Sequence, residues 1–107
     1  MHKTVKIITG SKWAAIAAGI MGVDNVAIVF GNTIHLHNCS KPDFLKNKQW
    51  VCHELTHVEQ YATHGRYIFL WKYFIEHIRK GYANNKYEVE ARNRENDINL
   101  LRQVMIE

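Results

Sequence analysis

The sequence predicts an α+β fold: a small N-terminal sheet made from a strand, a helix and a hairpin, followed by three helices. Runs of β-branched residues lie before position 38 and are punctuated by Gly10 and Gly31-Asn32, whereas apolar residues recur at helical spacing after position 47. No linker, repeat or low-complexity stretch interrupts the chain. With 107 residues, 47% of them hydrophobic, and a single proline, it reads as one domain over residues 1–107 with one modest core.

Residues 4–9, Thr-Val-Lys-Ile-Ile-Thr, read as a strand. Gly10 turns the chain and Ser11 caps a helix over 11–21, whose alanines let it lie close against a sheet. Residues 13–23 also imitate a signal-peptide core, but they are too short to span a bilayer and follow an apolar strand where such a peptide is merely charged. They are read as a structural helix, and the protein as cytoplasmic with no transmembrane segment, export being left open.

Asn25–Phe30 and Thr33–His37, joined by Gly31-Asn32, form a hairpin. In its second strand Ile34 and Leu36 face the core, and His35 and His37 face away. The histidines are either solvated or part of an exposed edge strand that borders a cleft and offers backbone groups to an extended peptide. Residues 38–47 read as a polar loop around Pro42.

A helix over 48–63 has an apolar face of Trp50, Val51, Leu55, Val58 and Tyr61, and Gly65 ends it. A second helix, 66–80, is rich in aromatics. Ile68, Trp71, Ile75 and Ile78 are expected to form its buried stripe, with Phe69 and Tyr73 turned to another side. That second side is core packing, a partner or membrane-surface contact through 66–80, or a wall of an apolar pocket. Gly81 closes the helix. The last one starts after Asn85 as N-cap and runs to about Val104, with Tyr87, Ala91, Arg94, Ile98, Leu101 and Met105 on one seam.

The chemistry concentrates in His53-Glu54-Leu55-Thr56-His57. On a helix, residues four apart lie about 40° apart around the axis, so His53 and His57 project from one face, one turn apart. Two imidazoles so placed can bind one Zn²⁺, with Glu54 beside the metal as general base: the H-E-x-x-H arrangement of zinc peptidases. A catalytic zinc needs a third protein ligand. Glu88 and Glu90 diverge by about 200° on a helix, so only one can face the metal. Glu88 shares the face of Ala91 and is preferred, although an acid there would also complement the helix dipole. His64 fits neither the spacing nor the glycine of the metzincin pattern, and His77 reads as a surface residue.

The remaining composition excludes other classes. The net charge of +4, with Lys41, Lys46 and Lys48 in one group and Arg79-Lys80 in another, is mild and forms no basic stripe with stacking aromatics, so no nucleic-acid partner is expected. Cys39 and Cys52 are too few for a disulfide framework, and Cys52 reads as a small buried helix residue.

His-Glu-Leu-Thr-His-Val-Glu-Gln, followed some thirty residues later by Asn-Lys-Tyr-Glu-Val-Glu-Ala-Arg, resembles the gluzincin metallopeptidases, especially the small stand-alone minigluzincins. The resemblance spans residues 50–93. It implies a minimal zincin-like domain, with Zn²⁺ on His53, His57 and Glu88, and hydrolysis of peptide or protein substrates. In that clan the third ligand is the first Glu of an E-x-x-A-D type stretch, matched here at Glu88 and Ala91. Arg92 stands where the clan often has an aspartate that orients a histidine ligand. Tyr61, His64, Tyr82 and Tyr87 are the candidates for stabilising the oxyanion. The alternative is a zinc-binding, non-hydrolytic interaction module, or a latent domain that needs a partner to become active; Glu54, which binding alone does not require, favours the enzyme.

Overall fold

The β-branched runs assemble into one sheet, and the helices distribute themselves over its two faces. A computed structural model describes residues 3–107. In chain order the elements are β1 (Lys3–Ile8), α1 (Lys12–Met21), β2 (Val26–Phe30), β3 (Thr33–His37), α2 (Lys41–Lys46), α3 (Lys48–His64), α4 (Arg66–Asn84), α5 (Lys86–Asn93), α6 (Asn99–Arg102) and β4 (Val104–Ile106). The sheet order is β2-β3-β1-β4. The hairpin β2–β3 is antiparallel, pairing Ile28 with His35, while β1 runs parallel to both β3 and β4.

Period-2 alternation gives each face of the sheet its own partner. Ile34 and Leu36 join Val5 against Val51, Leu55 and Val58 of α3, with Phe44 and Leu100 completing the core. On the other face Ala14 and Ala18 of α1 pack on Val26, where short side chains permit close approach. Ser11 caps α1 as expected, its side chain accepting from the Ala14 amide. Among the described residues no helix is long and apolar enough to cross a membrane.

Several expectations are corrected. β3 lies inside the sheet rather than at its edge, and His35 and His37 are partly buried rather than in open solvent; His35 Nδ1 sits 2.9 Å from Ser11 Oγ, just before α1. The edge strand is β2. The 38–47 loop contains the short helix α2, started by Ser40 accepting from the Asp43 amide and by Pro42 in the first turn, which suits proline. The last helix is not continuous to 104. It stops at Asn93, a turn carries residues 94–98, α6 follows, and Val104–Ile106 pairs with β1 as the second edge strand. In consequence Leu100 is buried, while Ile98 and Met105 of the expected seam are exposed.

The aromatic helix is turned the opposite way from expectation. Phe69 and Glu76 are its buried residues and Tyr73 is half-buried, whereas Ile68, Trp71, Ile75 and Ile78 are all exposed. Phe69 packs edge-on against Tyr61 and Tyr87, a three-ring contact between α3, α4 and α5 that rotates α4 into this orientation. Gly81 ends the regular helix as expected: at φ 76° and ψ 173° it is non-helical, and one further turn carries the chain to Asn84.

Gly31 is the one hairpin residue that needs its missing Cβ. Its φ is 63°, and an added Cβ would lie 2.8 Å from Arg66 Nε, whose guanidinium stacks over Phe30. Gly31→Ala is expected to lower unfolding free energy by about 1–2 kcal/mol in chemical denaturation, chiefly through the left-handed backbone, because the arginine tip can swing aside. An unchanged denaturation midpoint would show that the turn is not strained by a side chain.

Candidate metal centre

α3 serves two purposes with two faces. Val51, Leu55 and Val58 hold it to the sheet, and the helical repeat then directs His53, His57 and Glu54 toward α4 and α5. The two imidazole rings lie 5.2 Å apart between centroids. Their Nε2 atoms converge on one oxygen, Glu88 Oε1, at 3.0 Å from His53 and 3.1 Å from His57. One ligand atom from each of the three residues falls within 4.8 Å of the others.

Glu88 is held there by the junction of α4 and α5. The fully buried Asn85 caps α5, accepting from the Tyr87 amide at 2.9 Å, and donates back to the Tyr73 carbonyl at 3.2 Å. Glu76, the inward-facing acid of α4, accepts from the Lys86 amide at 3.0 Å. The Tyr73 hydroxyl donates to Glu88 Oε2, so both carboxylate oxygens are engaged.

The Nδ1 atoms are fixed from behind. Gln60 directs its amide nitrogen to the Tyr87 carbonyl and to Glu90 Oε1, which leaves its oxygen to accept from His57 Nδ1 at 2.8 Å. Glu95 Oε2 accepts from His53 Nδ1 at 2.9 Å. Glu95 reaches the site because Arg94 bridges Glu59 at 2.8 Å and Asp97 at 3.2 Å, which holds the turn after α5. With both Nδ1–H groups committed, Nε2 is the atom each ring presents to Glu88 and to any bound cation.

The charges follow from this geometry. Burial opposes the cationic form of His53, but hydrogen bonds to Glu88 and Glu95 and the charge of Glu54 outweigh it and push the pKa up to about 9. His57 is raised in the same sense, against burial, mainly by Glu88. Burial also works against the Glu88 anion, yet hydrogen bonds from both histidines hold it well below the usual carboxylate range. Burial pushes Glu54 up to about 7, the two histidines pulling the other way.

The donor set, two imidazole nitrogens and a carboxylate oxygen backed by Nδ1 acceptors, fits a divalent transition metal such as zinc, which would displace the two Nε2 protons. The site opens on a cleft of about 570 Å³. One wall is β2 from Val26 to Val29, with Met21 at the end of α1; the other is Leu70, Tyr73, Phe74 and His77 of α4.

Residues 2–70 match the family model described as the eCIS core domain, which is more than half of the chain. The chain belongs to the eCIS core domain family. No curated protein and no solved structure matches it. The match contains the whole of α3 and stops before Tyr73 and Glu88, so the third residue of the candidate cluster lies outside the matched segment.

Of the residues the sequence singles out, His53, His57 and Glu88 meet at one point, and Glu54 lines the same cleft. Glu90 is exposed and bonded to Gln60. Tyr61 and Tyr82 line the cleft, and burial pushes each phenol up to about 12, Tyr82 with help from the Glu88 charge. His64 and Tyr87 do not line it: His64 stacks on Phe69 and sits 3.3 Å from the Lys72 ammonium, and Tyr87 packs against Phe69. His77 is exposed but does border the cleft. Cys52 is buried, with Sγ against the Asp97 carbonyl, and Cys39 packs on the core away from the donors.

Sequence reasoning gave Gln60 and Glu95 no role, and it offered Tyr73 as a pocket wall without its bond to Glu88. Gln60 was findable, since it lies one helical turn from His57 on the same face. Arg92 reaches the Ala83 carbonyl and neither histidine, so the orienting carboxylate of His53 is Glu95 instead. Affinity for a divalent transition metal, measured by competition with a chromogenic chelator, is expected to fall about 10- to 100-fold in Glu95→Ala and to stay unchanged in Arg92→Ala. Equal affinities in all three proteins would remove Glu95 from the site.

Proposed function

We propose that this chain is a zinc-dependent peptidase of gluzincin type, with His53, His57 and Glu88 as zinc ligands and Glu54 as general base. The reading rests on one juxtaposition: a three-donor cluster beside a buried carboxylate that is not one of the donors, all lining one cleft. Metal binding alone has no need of Glu54, and burying an acid is costly without a purpose such as proton transfer.

Bound zinc would supply Lewis acidity, acidifying a water and polarising a peptide carbonyl. The protein's own groups do the rest. His53 and His57 offer Nε2, while Glu95 and Gln60 hold the rings and Tyr73 holds Glu88. Glu54, buried in the cleft beside the donors, can take a proton on its carboxylate and return it to the leaving amine. Tyr61 and Tyr82 keep their phenol protons and stand in the cleft as oxyanion donors. An extended peptide would lie along β2, whose outer edge has no neighbouring strand among the described residues.

Glu54→Gln is expected to lower turnover of a fluorogenic peptide library by about 10²- to 10⁴-fold with zinc content unchanged. Zinc-loaded wild type that cleaves nothing in the library, or a Glu54→Gln variant as active as wild type, would contradict the proposal and favour a module that only binds metal.

A further inference from the structure

The outer face of α4 is built for something other than water. Ile68, Trp71, Phe74, Ile75 and Ile78 recur at intervals of three and four residues, so they form one continuous stripe, and each is about half to two-thirds exposed. Such a stripe is expected to face a core, yet the core contacts of α4 are made by Phe69 on the opposite side.

The charges on the same helix are sorted. Lys72 and Arg79 flank one border of the stripe, both exposed, while Arg66 is turned back to the hairpin over Phe30. Glu76, the one acid of α4, is turned inward, where it accepts from the Lys86 amide and pairs with Lys80 at 3.6 Å. The exposed surface of α4 is therefore apolar in the middle, cationic along one margin and free of negative charge. This pattern suits an interfacial helix, whose apolar residues enter the headgroup boundary while long basic side chains reach phosphate.

We propose that this face docks onto an anionic membrane surface. A second copy is a poorer occupant, since the same face offers no negative charge to meet Lys72 and Arg79. An anionic bilayer supplies both the apolar layer and the opposite charge. Leu70 and Phe74 belong both to the exposed surface of α4 and to the cleft wall, so docking brings the mouth of the cleft to the interface. The proposal is independent of the peptidase reading.

The test is flotation of the full chain with vesicles of phosphatidylcholine alone and of phosphatidylcholine mixed with phosphatidylglycerol. The chain is expected to float with the mixed vesicles, to be released by high salt, and to stay behind with the neutral ones. Ile75→Glu with Ile78→Glu, both at exposed positions, should reduce the bound fraction on the order of tenfold or more while circular dichroism and zinc content stay unchanged. Lys72→Glu with Arg79→Glu should abolish the preference for anionic lipid. Failure of wild type to float with mixed vesicles would overturn the proposal, as would variants that bind as wild type does. A dimer dissolved by Ile75→Glu, without vesicle binding, would assign the face to a second copy instead.

Discussion

The Glu88 carboxylate is the point at which the helical half of the molecule is tied together. It is buried, it is ionised, and it is shared by two imidazoles of α3 and the Tyr73 hydroxyl of α4. A lone buried carboxylate would be strongly destabilising, so these donors are a condition of α5 lying where it does. The aromatic contact of Tyr61, Phe69 and Tyr87 and the cap made by Asn85 then serve one end, which is to hold three helices at the separation this shared charge requires. A metal ion placed among the same atoms would take over the role of the two Nε2 protons, so metal binding and the packing of α4 and α5 are expected to be coupled.

A chain this short can present such a site because α3 is used on both sides. Its sheet-facing side contributes to the core with Ile34, Leu36 and Phe44, and that contact fixes the direction in which His53 and His57 point. The orienting groups are drawn from three places: Gln60 from α3 itself, Tyr73 from α4, and Glu95 from the turn beyond α5. The carboxylate that backs His53 thus sits three residues beyond the position where the gluzincin pattern would put it, and Arg92 is left to brace the Ala83 carbonyl.

Much of this was legible in the sequence wherever a local rule decides. Gly31-Asn32 between β-branched runs specifies the hairpin, Ser11 and Asn85 cap the helices they precede, and the i, i+4 spacing of His53 and His57 is itself a statement about a helix face. What was not legible depends on contacts between distant residues. Val104–Ile106 has no period long enough to declare a strand, and it becomes one by pairing with β1 across the whole chain. The break after Asn93 needs the Arg94 links to Glu59 and Asp97, one partner of which lies on another helix. The rotation of α4 was ambiguous because that helix is apolar on more sides than the core can cover, and the packing of Phe69, rather than the pattern, selects the buried one.

The measurement that bears most directly on this account is zinc stoichiometry by elemental analysis on wild type, Glu88→Ala and Glu90→Ala side by side. The two glutamates are neighbours on one short helix, one inside the donor cluster and the other exposed against Gln60. The account predicts one zinc per chain in wild type and in Glu90→Ala, and loss of zinc in Glu88→Ala. A wild-type chain that takes up no zinc on titration, or a Glu88→Ala chain that binds it as wild type does, would contradict it.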